Sequence, residues 1–467
     1  MRHWKAAILG CFSVITAWAS STAVHQMTLS NGLNVLIKED HRAPVVLMSV
    51  WYRVGGSFEP DGITGISHVL EHMMFRGTTT HPAGELEAIV SRLGGEQNAM
   101  TEDDQTVYYE EVATTNLPMI LALEADRMRH LTLSAADFSK EIQVVMEERR
   151  MRVDDDPQGR LWERFLAAAY VNSPYHHQTI GWAPDLHSLT IEDVRNWYHA
   201  WYTPNNAFLV IVGDVDVAAV MAQVQRTFGV LGMHPLPVVK PRTEIPSLGP
   251  KRVEVDIPSG LSWLVMGFPV PSLAETAMAK EVYALTVLSA ILSEGNSARL
   301  VHDLIREQGI ATDADTYYNS MSRYATQFIL MATPATGHTL NELHTALWKE
   351  IQILQTTLVT REELERVKAQ VLAEKVYAKD SLMEQALELG TPFSVGLPFE
   401  VGETYADRIQ AVTALDVQAV AQKYLRADRI TEGILNPKHT TKQQNNRAGS
   451  YSSGLSFKPH GHRGVPS

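Results

Sequence analysis

Residues 66–75 read Ile66-Ser-His-Val-Leu-Glu-His-Met-Met-Phe75. Apolar residues at Ile66, Val69, Leu70, Met73, Met74 and Phe75 predict a buried helix over this stretch. At about 100° per residue, Glu71 falls about 60° to one side of His68 and His72 about 40° to the other, so all three share one face. Two imidazoles one turn apart can grip a single metal ion, and the carboxylate beside them stands where a metal-bound water would sit. The competing account is a pair of hydrogen-bonded core histidines. Two histidines and a glutamate left unpaired on so apolar a helix would be costly to bury.

A tetrahedral zinc site needs a third protein ligand and leaves the fourth position open. The stretch Lys140-Glu-Ile-Gln-Val-Val-Met-Glu-Glu-Arg-Arg150 supplies candidates. Glu141 and Glu148 are seven residues apart and lie about 20° from eclipsed on a helix. Val144 and Val145 flank that face and mark it as the buried one. Glu147 lies about 100° around, toward solvent. Glu148 is therefore the better ligand, its alternative partner being Arg152 one turn on. Glu141 sits two turns earlier, where it can orient a ligand or the water.

Outward from these helices the chain reads as two related halves. In the first, Met27–Ile37 starts a hairpin around Ser30-Asn31-Gly32, and strands are expected over Val45–Val54, Val107–Val112 and Ala207–Val212. Helices are expected over Leu86–Leu93, Asn116–His130, Ala136–Val153 and Ile191–Trp201, with Asp154-Asp155-Asp156-Pro157 as an interruption. Gly232–Pro250 holds five prolines and reads as a linker. The pattern then restarts, with strands Val253–Ile257, Leu261–Phe268 and Ala325–Ala332 and helices Thr276–Leu292 and Glu362–Tyr377. Val412-Thr-Ala-Leu-Asp-Val417 echoes Leu189-Thr-Ile-Glu-Asp-Val194 at an offset of 223 residues, which points to a duplication. Pro437–Ser467 has the polar composition of a disordered tail.

At the N-terminus, Arg2 and Lys5 precede an apolar run from Ala6 to Ala19 and small residues as far as Ala23. This is the order of a secretory signal peptide; the run is shorter than the ~20 residues a membrane span needs. Export to the periplasm is the expectation, with a mature chain starting near Ser20 or Val24 and no membrane span. The single cysteine, Cys11, lies inside the signal, so any metal site must use His, Asp or Glu. With 40 Lys+Arg against 53 Asp+Glu, a formal charge of −13, the 467-residue chain is a poor partner for nucleic acid or an anionic membrane surface.

H-x-x-E-H followed by Glu148 after 75 intervening residues resembles the pitrilysin/insulinase family of zinc peptidases. Gly62-Ile-Thr-Gly-Ile-Ser-His68, Phe75-Arg-Gly77-Thr, Gly94-Gly-Glu-Gln-Asn-Ala-Met-Thr101, Tyr202-Thr-Pro-Asn-Asn-Ala207 and Val212-Gly-Asp214 carry the resemblance further. It implies an α+β fold of two homologous domains, each a mostly antiparallel sheet packed with helices, together forming half of a peptidase chamber. The divisions expected are a signal peptide (1–23), a catalytic zinc-binding domain (24–231), a linker (232–250), a non-catalytic homologous domain (251–436) and the tail (437–467). His68, His72 and Glu148 would hold one Zn²⁺ per chain, Glu71 would act as general base on the zinc-bound water, and Glu141 would be the supporting acid. Asn98, Ala99, Met100 and Thr101 would form the edge strand on which a peptide substrate adds.

The implied activity is endopeptidase hydrolysis of small or unfolded peptides. The alternative is a catalytically silent or partner-dependent binding or assembly subunit. The resemblance also implies an Arg–Tyr pair that contacts substrate. Arg306 matches its arginine, but Thr312 stands at the tyrosine position, with Tyr317 and Tyr318 five and six residues later. A related second subunit, making a heterodimer rather than a homodimer, would supply the missing half of the chamber.

Overall fold

A computed structural model describes residues 23–276 and 279–438. The expected signal peptide, apart from residue 23, and the tail beyond residue 438 lie outside them. The first sheet contains β1 (Val24–Thr28), β2 (Asn34–Glu39), β3 (Val45–Tyr52), β4 (Glu96–Thr101), β5 (Thr106–Ala113) and β6 (Ala207–Gly213), in the order β1-β2-β6-β3-β5-β4. The second contains β7 (Lys251–Ile257), β8 (Trp263–Val270), β9 (Ala311–Tyr317), β10 (Thr326–Pro334) and β11 (Thr431–Pro437), in the order β7-β11-β8-β10-β9.

The two sheets repeat one topology. β6 joins β2 in parallel and β3 antiparallel. β11 does the same with β7 and β8. β4 and β9 are the matching edge strands, each hydrogen-bonded only to the strand beside it. The echoed hexapeptides are the reason the last strand of each half arrives in the same way. Thr190 and Thr413 close identical capping boxes with Asp193 and Asp416, opening the helices Ile191–Trp201 and Ala414–Tyr424 that lead into β6 and β11.

Each sheet buries one face under its own half and the other under a helix from the opposite half. Pro157–Ala169 belongs to the first half, yet Leu161, Trp162 and Phe165 pack with Trp263, Val265 and Ile329 of the second sheet. Leu382–Ser394 belongs to the second half, yet Ala386, Leu387 and Leu389 pack with Leu36, Trp51 and Phe208 of the first. β3, β6 and β8 accordingly read as nearly continuous apolar runs, covered on both faces.

At two helix–sheet contacts the fit is tight. A Cβ on Gly390 would stand 2.3 Å from Trp51, and one on Gly267 2.4 Å from Phe165. Polar clasps flank the contact: Arg42 pairs with Asp380 at 2.9 Å, Gln385 donates to Asp40 at 2.9 Å, and the Arg53 guanidinium lies over the rings of both Phe208 and Phe393.

Several boundaries differ from the sequence reading for local reasons. The Asp154–Pro157 stretch does not simply break a helix. The helix Ala135–Arg149 widens into a π turn over Arg150–Asp154, and Asp156 then caps the new helix at the Gln158 and Gly159 amides. Leu261 lies in a turn closed by Ser259 and is exposed, so β8 starts at Trp263. Pro437, read as tail, closes β11. Residues 232–250 contain no helix or strand, and Glu244 pins them by accepting from the Val171, Asn172 and Ser173 amides.

Because each half completes the other's core, the chain should unfold as one unit. Urea unfolding followed by far-UV circular dichroism is expected to give a single transition. Phe165→Ala should lower the stability of that transition by about 3–5 kcal/mol. Two resolved transitions, or a Phe165→Ala loss confined to one of them, would contradict the interlocked arrangement.

Candidate metal centre

The histidine helix runs Ile66–Met73, with Ile66, Ser67, Val69, Leu70 and Met73 buried and His68, Glu71 and His72 partly open on one side. Its start is fixed by a buried carboxylate: Glu59 accepts from the Gly65 and Ser67 amides at 2.6 and 2.8 Å. Burial pushes Glu59 up to about 7, the two amide hydrogen bonds working against it. Gly65 has φ +87°, and a Cβ there would stand 2.6 Å from the Ile180 carbonyl oxygen. The same Ile180–Gly181 turn receives Arg149, whose guanidinium donates to the Gly181 carbonyl at 2.6 Å and pairs with Glu163 at 2.5 Å. Arg149 follows Glu148 in sequence, so this tie sets the second helix against the first.

His68, His72 and Glu148 come together, with ligand atoms all within 4.8 Å of one another. Glu148 Oε2 lies 3.7 Å from His68 Nε2 and 3.5 Å from His72 Nε2. Three donors placed on a tetrahedral zinc at about 2.0–2.1 Å would be about 3.3–3.4 Å apart. The spacing and the N,N,O donor set therefore fit zinc. Glu148 Oε1 is held by Arg152 at 2.6 Å, so the partner weighed against metal binding is present and leaves Oε2 to face the imidazoles.

Burial alone would raise Glu148, but the hydrogen bond from His72 and the charges of His68 and Arg152 bring it down to about 2. Burial likewise opposes protonation of His72, but Glu148, Glu71 and Glu141 outweigh it and hold this imidazole above its ordinary value. Three carboxylates, those of Glu71, Glu141 and Glu148, face these imidazoles, which suits the cluster to a divalent cation.

Glu141 is buried. Its Oε2 faces His72 Nδ1 at 3.5 Å and its Oε1 pairs with Arg76 at 2.7 Å. Arg76 had no role in the sequence reading, although its place one turn after His72 is a usable signal. Of the two valines taken to mark the buried face, Val145 is fully buried but Val144 is 48% exposed. The angular position of Glu148 relative to Glu141 holds; the Val144 argument for it does not. Glu147 points to solvent and pairs with Arg150.

Glu71 lies beside the two histidines. The Thr101 hydroxyl donates to its Oε2 at 2.5 Å. Burial pushes Glu71 up, with the Thr101 hydrogen bond and the charge of His72 acting against the shift. Asn98, Ala99, Met100 and Thr101 lie on β4, at the sheet edge. Glu102 N–H bonds the Gln105 carbonyl across the hairpin, so by alternation Met100 and Asn98 turn their backbone groups toward β5, and Gln97, Ala99 and Thr101 turn theirs outward. Thr312 lies on β9 with its hydroxyl directed at the Thr333 carbonyl, and Arg306 is exposed. The Tyr318 hydroxyl donates to the Pro271 carbonyl at 2.6 Å.

Comparison with known proteins finds one peptidase family along most of the chain. The family described as insulinase, peptidase family M16, matches residues 34–182, and the peptidase M16 inactive domain matches residues 188–371. The zinc protease PqqE of Helicobacter pylori is 32% identical over 454 residues, spanning 94% of this chain and all of that protein. An uncharacterized zinc protease of Bacillus subtilis, YmxG, is 27% identical over 74% of this chain and 82% of its own length. Among solved structures, a protease from H. pylori aligns with a TM-score of 0.84 at 29% identity, covering 89% of this chain and all of that one. The periplasmic protease PqqL of Escherichia coli aligns with a TM-score of 0.73 at 19% identity, covering 89% of this chain and 48% of that one. The chain belongs to the insulinase family, peptidase family M16.

Proposed function

We propose that the protein is a zinc-dependent endopeptidase acting on small or unfolded peptides. The observation that carries this reading is the convergence of His68, His72 and Glu148 at zinc-ligand spacing with Glu71 directly beside them. Zinc, when bound, supplies Lewis acidity that polarises a peptide carbonyl and acidifies a water. His68 Nε2, His72 Nε2 and Glu148 Oε2 hold it. Arg152 fixes the remaining Glu148 oxygen, and Glu141, itself held by Arg76, orients the His72 ring and raises its basicity as a ligand.

Glu71 takes the proton of the attacking water and passes it to the departing amine. Its elevated proton affinity suits a group that must accept and then release that proton, and Thr101 keeps the carboxylate aimed. The outward amides and carbonyls of Gln97, Ala99 and Thr101 suit an extended peptide added to β4. The Ala99 amide bonds the Asn98 side chain, a local contact that a substrate carbonyl would replace.

The half-chamber is completed by a second half, which we place on a related subunit. The alignment with 48% of PqqL supports an architecture of two such halves. Tyr318 is occupied within its own domain and Thr312 offers no phenol, which supports a partner that differs from this chain. The leader-like N-terminus supports a periplasmic location.

Glu71→Gln should keep bound zinc while peptide hydrolysis falls by at least about 100-fold, the usual contribution of a general base. Glu148→Gln should lose zinc at a lower chelator concentration than wild type. Metal content by mass spectrometry and turnover of a mixed peptide pool check both; wild-type turnover by Glu71→Gln would refute the role of Glu71.

Purified alone, the chain should be weakly active, and material from the native host should carry a second, related polypeptide. Full activity from an isolated monomer refutes the need for a partner. N-terminal sequencing of the native protein should begin near Ser20 or Val24; an intact Met1 in the cytosol refutes export.

A further inference from the structure

Between the two sheets, on the side of β4 away from the histidine helix, lies a cavity of about 810 Å³. Thr101 turns toward Glu71, while its neighbours Met100 and Glu102 line the cavity. Seven carboxylates line it against a single ammonium, that of Lys375, which pairs with Glu388 at 3.3 Å. Asp104 is satisfied by the Ser57 and Tyr175 hydroxyls and the Arg323 amide.

The Glu102 and Asp103 carboxylates have no hydrogen bond or ion pair among the described residues. Burial and neighbouring negative charge push Glu102 to about 8 and Asp103 to about 7, and no cation offsets either. His177, also lining the cavity, is only 2% exposed, and its Nε2 has no partner among the described residues. The walls are largely aromatic, Tyr317 and Trp162 among them.

The acidic turn is rigidly placed. The Gly56 and Ser57 amides bond the Glu102 and Asp103 carbonyls at 3.2 and 2.6 Å, and a Cβ on Gly55 would stand 2.1 Å from the Glu102 oxygen. A chain that holds two unpaired carboxylates and an unpaired imidazole against an aromatic wall has formed a site lacking only its cation.

A peptide paired with β4 presents alternate side chains to opposite faces of the sheet. One set faces Glu71 and the zinc ligands; the other enters this cavity. We propose that the cavity is a specificity subsite for a lysine or arginine side chain of the substrate, with Glu102 and Asp103 as the residues that recognise its charge. The aromatic walls take the methylene stem and the face of the cation. The assignment rests on the peptidase reading, and its test separates the two.

The zinc-loaded, full-length Glu71→Gln protein is titrated with fluorescent peptides that differ only in lysine against norleucine, or arginine against citrulline. The basic peptide of each pair should bind at least about tenfold more tightly, the worth of one compensated charge. Adding Glu102→Gln and Asp103→Asn should bring each pair within about twofold and leave the neutral peptide's affinity unchanged. Because the two acids have no partners, these substitutions should not lower the melting temperature. Glu102→Lys should make the basic peptide the weaker ligand. Equal affinities in the Glu71→Gln parent, or a preference that survives the substitutions, overturn the proposal. If that preference is present but the wild-type protein cleaves none of the peptides, the peptidase reading fails and the subsite stands.

Discussion

Each sheet has a second apolar face that its own half cannot cover, and each is covered by one helix from the other half. This exchange governs the rest of the molecule. Pro157–Ala169 must leave the first half to reach Trp263 and Val265, and Leu382–Ser394 must come back to reach Trp51 and Phe208. The two sheets are thereby held at a set separation, and the cavity between them is a product of that separation. The metal site depends on the same exchange. Arg149 follows Glu148 directly and pairs at 2.5 Å with Glu163, which sits on the exchanged helix. Both partners are buried, so losing either would leave an uncompensated charge in the interior.

Charge is distributed unevenly on the two sides of β4. On the histidine side, carboxylates are matched: Glu148 by Arg152 and the imidazoles, Glu141 by Arg76 and His72. On the cavity side, Glu102 and Asp103 have no matching cation among the described residues. One six-residue strand therefore separates a centre that calls for a divalent metal from a pocket that calls for an organic cation. The strand's own side chains follow the division, with Thr101 directed to Glu71 and Met100 to the pocket.

What the sequence revealed follows from the range of the interactions involved. The His68–Glu71–His72 face, the relation of Glu141 to Glu148 and the helix Ile191–Trp201 were legible because helical angles and capping boxes depend only on residues a few positions apart. The duplication was legible because Thr190 and Thr413 close the same box in both halves. The Val144 inference failed because a flanking apolar residue says nothing of which neighbour covers it. The exchanged helices went unread: Pro157 looked like a stop, while Pro392 lies inside the second exchanged helix, and which sheet either helix covers is decided hundreds of residues away. Separation in sequence also hid the Glu71–Thr101 bond, whose partners are 30 residues apart, and the acidic pocket, whose walls come from both halves.

The return of residues 382–394 to the first sheet also sets a timetable for synthesis. β6 completes that sheet at Gly213, but the cover for Trp51 and Phe208 ends only at Ser394. At ribosomal rates of ~5–20 residues per second, the intervening stretch of about 180 residues takes roughly 10–35 s to emerge. Throughout that interval the strands of the first sheet lack the helix that covers Trp51 and Phe208, and a chain in that state exposes apolar surface that aggregation exploits. The first half therefore cannot close its core before residues 382–394 are present, and any delay in their arrival prolongs the exposure.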